Sequence, residues 1–514
     1  MTDSSENDTR PAWPGLRPYA AIAVVAVVVA VLVLNRLGRG DVCSANEAVE
    51  GVFVQQMVEH DVLLFPVENR SVPMYKPPLF HWTALAIDRI AGVRKVTAFN
   101  LRLPSALYSV AGALAAMLFA YRILGLEAAV LSGLALAGSY QYVALGRFGR
   151  VDMTLCFFET IALVAFLRWL PSDPESTGKV ARAESGVPAL YLMAVAMGLG
   201  VLAKGPVGAI VPGASITIFM IVERRWRQIV TMLDPGALMV GAALASSWYL
   251  ACYLGGQLGF LHRQLGAENV GRFFGALGAM APWYYVKPVL LNSAPLSLLL
   301  PVAALYALVA PRSAASPATS ENTETISKAS SARLAMRLFA IFYVVTVVFF
   351  SLAAYKRRAY LLPVWPSAAI MLAWWIRIAP PLKWRRVATL GFAALCCGLA
   401  VFNFIYIPRY EVRDCRDDSF RRAAADIARV VAVGEPLYLY GFKDEPAPLL
   451  FYLDRDAPIL QGRLGDAPPG YVVLPAGVWK THQQDALDWE PVLTSDYGNR
   501  HLVLLKRGKS YAGR

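Results

Sequence analysis

The sequence predicts a polytopic α-helical membrane protein with about eleven transmembrane helices, interfacial helices on its outer face and a small C-terminal α/β domain. Three observations predict this class. Hydrophobic residues make up 57% of the 514 residues and charged ones 17%, more apolar and less charged than soluble domains, with a mean hydropathy of +0.46. Apolar runs of about 20 residues, the length that crosses a bilayer, recur up to about residue 408. Beyond about residue 410 the composition turns polar and the apolar runs shorten to strand length.

Residues 1–14 are polar and read as a disordered N-terminus. The run from Tyr19 to Leu34 follows Arg10 and Arg17 and has no small-residue cleavage site, so it reads as an uncleaved first helix. Candidate spans lie at 18–35, 103–121, 126–145, 152–170, 188–203, 205–222, 235–255, 285–310, 336–354, 360–378 and 387–408. With the N-terminus inside, the inner loops hold Arg122, Lys179, Arg182, Arg224 to Arg227, Arg312 to Arg337 and Lys383 to Arg386, as basic inner loops should. Residues 15–409 thus form the transmembrane domain, with 311–334 a flexible cytoplasmic loop rich in Ser, Ala, Thr and Glu.

The outer side receives residues 36–102, about 256–284, the turn at Lys356, and 410–514. Val49, Val52, Phe53, Gln56 and Met57 recur at helical spacing, which predicts an amphipathic helix over 46–60 lying along the interface. Pro77 and Pro78 punctuate the chain, and a second interfacial helix is predicted over 79–90. In 410–514, Ser419–Val433 reads as an amphipathic helix, and strands are predicted at 436–440, 471–474 and 502–505. No glycine-rich phosphate loop occurs there.

The formal net charge of +13 resides largely in loops beside apolar spans, which points to anionic headgroups and lipid phosphates rather than nucleic acid. Lys356, Arg357 and Arg358 fall in an outer loop, where short loops normally avoid cations, so an anion held at that surface is the natural reason for them. Arg102, Arg147, Arg150, Lys204, Lys76, Arg272, Glu47, Glu50 and Asp152 gather at the same predicted depth. Ionisable groups there line a cavity or pair with each other. His60, His81 and His262, with Glu47 or Glu50, offer imidazole and carboxylate ligands suited to zinc or manganese, though no HxxxH or HxxE spacing enforces a site. Of six cysteines, Cys156, Cys252, Cys396 and Cys397 lie in apolar runs, whereas Cys43 and Cys415 fall outside, where the two can form a disulfide.

Several motifs recur in order: Asn46-Glu47-Ala48, Tyr75-Lys76-Pro77-Pro78-Leu79-Phe80-His81-Trp82, Arg102-Leu103-Pro104-Ser105, Asp152-Met153-Thr154, Leu202-Ala203-Lys204-Gly205-Pro206, Glu268-Asn269-Val270-Gly271-Arg272-Phe273, Pro282-Trp283-Tyr284-Tyr285 and Lys356 through Tyr360-Leu361-Leu362-Pro363. Over residues 40–410 the chain resembles the C-type-fold membrane glycosyltransferases, nearest the lipid A aminoarabinose transferase branch, kin to the protein O-mannosyltransferases. The resemblance implies transfer of a hexosyl or pentosyl group from a polyprenyl-phosphate carrier to a lipid, glycan or protein acceptor. It implies inversion at the sugar, no nucleotide-sugar donor, and a place in the bacterial inner membrane with the active face and C-terminal domain extracytoplasmic. It implies that the donor phosphate sits among Lys76, Arg272, Lys356, Arg357, Arg358 and Tyr360, with Asn46, Glu47 and Asp152 at the catalytic centre.

Two residues depart from that pattern. The family usually carries Asp where this chain has Asn46, and an amide cannot act as a base near neutral pH. Glu47 then takes the role, or Asp152 is the important acid, or the acceptor is already ionised; a repurposed member is the fourth outcome. Tyr75 stands where the family often has Glu, which removes a metal ligand. Two other classes share the need for cations at a lipid phosphate: a transporter of polyprenyl-phosphate sugars and a non-catalytic lipid-binding sensor. Transport needs groups along a path and favours inverted repeats, which this sequence does not display.

Overall fold

The computed structural model describes residues 17–69, 72–170, 186–276, 278–309, 323–414, 419–442, 446–453, 455–497 and 500–507. Residues 1–14, Cys415 and residues 311–322 of the predicted inner loop therefore lie outside the described residues. Every predicted span is helical: α1 (Arg17–Leu34), α4 (Ala98–Leu124), α5 (Leu126–Gly138) with α6 (Tyr140–Gly146), α7 (Val151–Trp169), α8 (Gly186–Lys204), α9 (Val207–Val222), α11 (Pro235–Leu254), α14 (Val286–Leu291) with α15 (Leu296–Val309), α16 (Thr323–Leu352), α17 (Val364–Ile378) and α18 (Leu382–Asp414). Six of these are long and apolar enough to cross a membrane, and up to eight if each bent pair counts as one span.

The difference from eleven has local causes. The run at 126–145 bends by 69° between α5 and α6, and that at 285–310 by 107° between α14 and α15. Ser139 caps α6 by accepting from Tyr142 N at 3.3 Å, and its hydroxyl lies 3.0 Å from Ser293 Oγ, so the two breaks brace each other. With 16 and 15 residues, α9 and α17 rise only about 24 Å, short of a ~30 Å hydrocarbon core. Three charges, Asp152, Glu159 and Arg168, interrupt α7. Residues 323–334, expected in a flexible loop, are instead the first turns of the 30-residue α16.

The core between α1, α4, α5, α7, α16 and α17 is apolar and closely packed. Gly200 and Gly208 let α8 and α9 touch backbone to backbone; a Cβ on Gly208 would lie 2.2 Å from the Gly200 carbonyl carbon.

Outside the bundle, α2 (Ala45–His60) and α3 (Leu79–Ile90) flank a short antiparallel ribbon, β1 (Val67–Glu68) and β2 (Val72–Pro73). Nine consecutive α2 residues, Glu47 to Gln55, are buried. The expected amphipathic interfacial helix is thus buried on all sides, because the C-terminal region covers the face that would have met lipid or water. Helix α20 (Ala447–Leu453) packs there so closely that a Cβ on Gly51 would meet the Phe451 ring at 2.7 Å. Asn69 donates to the Ala457 carbonyl at 2.7 Å and accepts from Ala457 N at 2.8 Å, and Tyr452 accepts from Val42 N at 2.8 Å.

The C-terminal region begins with α19 (Ser419–Val430), after α18 has run past the predicted boundary at 409. Its sheet has the order β3-β4-β6-β5, formed by Leu437–Leu439, Tyr471–Pro475, Arg500–Arg507 and Trp489–Tyr497. The first pair is parallel, with α20 in the crossover, and the other pairs are antiparallel. The sequence reading missed β5, whose residues 489–497 mix Pro, Asp and Ser into a solvent-facing edge strand. Cys43 is disulfide-bonded, and Cys156, Cys252, Cys396 and Cys397 are free thiols.

Candidate functional site

Six segments meet at one end of the bundle: the start of α2, the Tyr75–Pro78 loop, the start of α7, the end of α8, residues 258–285, and the turn after α16. Local chemistry places their charges. Asp152 lies in the first turn of α7 and Lys204 is the last residue of α8, so each complements its helix dipole. Gly205 has φ of +93°, and a Cβ there would sit 2.4 Å from Gln264 Nε2, so only glycine lets the chain turn from α8 into α9 at this point. After α12 (Leu258–Leu261), the π-helical stretch His262–Gly271 carries Glu268 up to Arg272, the first residue of the short α13 (Arg272–Phe274).

Lys76, Lys204 and Arg272 line a common cavity of about 370 Å³. Each is held by its own carboxylate. Lys76 donates to Glu50 Oε1, Lys204 to Asp152 Oδ1, and Arg272 pairs with Glu268 at 2.6 Å. Arg150 adds a second contact to Asp152 at 3.0 Å. The other Glu50 oxygen accepts from His81 Nε2 at 2.8 Å. Burial by itself would push the Glu50 carboxyl up, but Lys76 and His81 outweigh it and hold the group at about 2. Burial pulls the Lys76 ammonium below the usual lysine range, against the pull of Glu50.

Aromatic rings complete the polar end. Lys204 lies 4.6 Å from the Tyr360 ring centroid, and Arg272 donates to Tyr360 Oη at 3.4 Å. Tyr355 lies between Arg272 and Arg357, each 5.3 Å from its ring centroid. Arg357 donates to Asn46 Oδ1 and to Tyr355 Oη at 3.1 Å, while its backbone N–H donates to Tyr285 Oη at 3.2 Å. Val207, Ile210, Leu265, Phe273, Phe349 and Phe350 give the cavity a largely apolar wall, to which Gln264 and Asn269 add their amides.

Other expected residues stand elsewhere. Of the basic run, only Arg357 turns its side chain toward Asn46. Lys356 is buried and donates to the Ala353 and Met280 carbonyls at 2.6 and 3.3 Å, and Arg358 is exposed. Arg357 is extended, and the 3-10 turn begins only at Arg358, so the three neighbours do not share one helical face. Glu47 faces Arg102 in a bidentate pair at 2.8 and 3.0 Å and also accepts from Gly149 N at 2.9 Å, so both its oxygens are occupied. Arg102 donates further to the Leu37 and Asp41 carbonyls, and Arg147 to those of Leu32, Val33 and Asn35. Those two arginines tie the end of α1 to the bundle.

The histidines do not converge: His81 is fully buried on Glu50, and His60 and His262 are exposed. Among the described residues no group of three or more His, Cys, Asp or Glu could hold a metal ion. Sequence reasoning did not pick out Tyr285 or Tyr355 as site residues; adjacency to the Tyr284–Tyr285 motif and to Lys356 was the only available signal.

Residues 75–250 match the family model for dolichyl-phosphate-mannose-protein mannosyltransferase. An uncharacterized protein of Aquifex aeolicus (strain VF5) is 25% identical over 351 residues, 68% of this chain and 62% of the relative. The undecaprenyl phosphate-alpha-4-amino-4-deoxy-L-arabinose arabinosyl transferase of Enterobacter sp. (strain 638) is 26% identical over 249 residues, 48% of this chain but 39% of that protein. Both matches thus span less than two thirds of the relative. The crystal structure of ArnT from Cupriavidus metallidurans bound to undecaprenyl phosphate superposes with a TM-score of 0.74 at 18% identity, over 96% of this chain and 99% of that one. The resemblance carried by the motifs is borne out: the chain has the membrane glycosyltransferase fold of ArnT, and its residues 75–250 match the mannosyltransferase family.

Proposed function

We propose that this chain transfers a sugar from a polyprenyl-phosphate carrier to an acceptor at the outer surface of a bacterial inner membrane, with inversion. The observation that carries this reading is the cavity lined together by Lys76, Lys204 and Arg272 and by the apolar side chains of Val207, Ile210, Leu265, Phe273, Phe349 and Phe350. Cations suit a phosphate and apolar walls suit a prenyl chain. The printed names of the arabinosyl transferase relative and of the ArnT complex, both referring to undecaprenyl phosphate, support the same donor class.

An acceptor oxygen bonds to the anomeric carbon as the bond from that carbon to the phosphate oxygen breaks. The electron pair leaves on the phosphate, whose charge grows from one toward two. Lys76, Lys204 and Arg272 stabilise that growth, and fixed donors of this kind act most strongly where water is excluded. Attack opposite the leaving group inverts the sugar. A transporter would spread its charges along a path, whereas here they gather at one end of the bundle.

The proton inventory narrows the acceptor. Asn46 cannot take a proton, Glu47 is saturated by Arg102 and Gly149, Asp152 is neutralised by Arg150 and Lys204, and Glu268 on the cavity wall is paired with Arg272. The acceptor that fits is therefore one that arrives as an oxyanion and needs no base. Asn46→Asp is expected to fold and to keep transferring, because its carboxylate would meet Arg357. Loss of transfer by well-folded Asn46→Asp protein would show that the amide itself is required.

The direct test is native mass spectrometry of purified protein with undecaprenyl phosphate. Wild type is expected to bind, and Arg272→Ala to bind at least about tenfold more weakly, the loss of one charge-assisted contact. No binding by well-folded wild type would sink the glycosyltransferase reading.

A further inference from the structure

Glu50 sits one helical turn beyond Asn46 and is fully buried, at 0% exposure. It does not line the cavity, and it was not assigned a role by the motifs. Its two oxygens serve two different groups. One accepts from the Lys76 ammonium and the other from His81 Nε2 at 2.8 Å. His81 is itself fully buried, with Nδ1 unbonded, so the carboxylate anchors its ring. Lys76 alone of the three reaches the cavity.

We propose that Glu50 is a positioning residue for Lys76: its carboxylate, pinned by His81, fixes the Lys76 ammonium at the cavity wall as a cation ready for the donor phosphate. This rests on the phosphate-site reading above. Other charges cannot substitute for Glu50. Arg150 from the start of α7 repels Lys76, and Asp152 beside it is already shared between Arg150 and Lys204. From residues 262–272, Arg263 stacks on Tyr75 at 5.2 Å and Glu268 is taken by Arg272. Tyr75, Tyr355 and Tyr360 are the remaining titratable groups on the cavity wall. A buried ammonium without its counter-ion sheds its proton, whereas a guanidinium does not.

The test is binding of undecaprenyl methyl phosphate to purified full-length protein at about pH 6 and about pH 8.5. This diester keeps one negative charge at both values, so only the protein titrates. Glu50→Gln is expected to bind about tenfold more weakly at the higher pH, the loss of one charge-assisted contact as Lys76 sheds its proton. Wild type is expected to change little between the two. The double variant Glu50→Gln with Lys76→Arg is expected to recover binding at about pH 8.5, since arginine stays charged.

Equal weakness of Glu50→Gln at both pH values would mean that Glu50 only packs, and would overturn the proposal. Unchanged or tighter binding at both would also overturn it. If Glu50→Gln fails to fold, Glu50→Asp, whose carboxylate is withdrawn by one methylene, is expected to show the same pH dependence to a smaller extent. A flat profile in folded Glu50→Asp protein would then overturn the proposal. Wild type that does not bind the diester would remove the phosphate site itself, and with it this role. Binding by wild type with a flat variant removes only the role of Glu50.

Discussion

Lys76→Ala is expected to lower kcat/KM for a polyprenyl-phosphate sugar donor about a hundredfold or more, with Lys76→Arg recovering much of the loss. The ammonium is one of three cations around the cavity, and its partner Glu50 stands on the same helix as Asn46. Removing one fixed donor from a developing oxyanion costs about 2–4 kcal/mol. The alanine variant also leaves Glu50 with His81 as its only partner, so some folding stability goes with the activity. Arginine separates the two effects: it restores the counter-ion of Glu50 and a cation for the phosphate, with different donor geometry. Thermal melting in detergent beside steady-state transfer checks both. Wild-type turnover by Lys76→Ala would remove Lys76 from the site.

Arg102→Ala is expected to destabilise the chain by about 3–5 kcal/mol, the range for stranding one partner of a buried ion pair. The side chain of Glu47 is 1% exposed and that of Arg102 9%. Loss of the guanidinium strands a buried carboxylate and frees the Leu37 and Asp41 carbonyls. Glu47 would keep only the Gly149 N–H. The expected observation is poor recovery from the membrane and a much lower melting temperature, whatever the donor. A stable Arg102→Ala protein that had lost only transfer would instead make Glu47 and Arg102 part of the chemistry.

Helix positions were legible because long apolar runs allow little else in a bilayer, where every backbone N–H and C=O must be paired internally. The C-terminal α/β class was legible from short alternating strands, although the edge strand at 489–497 was not, since its polar outward face has no apolar period to read. The α2 helix was located but its environment was misjudged. Its Val and Phe spacing suits an interface, but Phe451, four hundred residues away in sequence, packs against it together with Leu101.

The same division holds in the site. Motif and charge placed Lys76, Asp152, Lys204, Arg272 and Arg357 in one region, because cations at such depth need a reason to be there. They did not show which acid belongs to which cation. Glu47 and Glu50 lie three residues apart, near one face of the helix, yet packing gives one to Arg102 and the other to Lys76 and His81. Lys356 and Arg357 are adjacent, yet one caps backbone carbonyls and the other meets Asn46. Composition, apolar periodicity and motif order by themselves determined that this is a helical membrane protein with cations gathered in one region, because those properties depend on each segment's own chemistry. Pairing of buried charges was decided by the tertiary structure alone, because a carboxylate in a low-dielectric interior takes the cation that packing brings within reach.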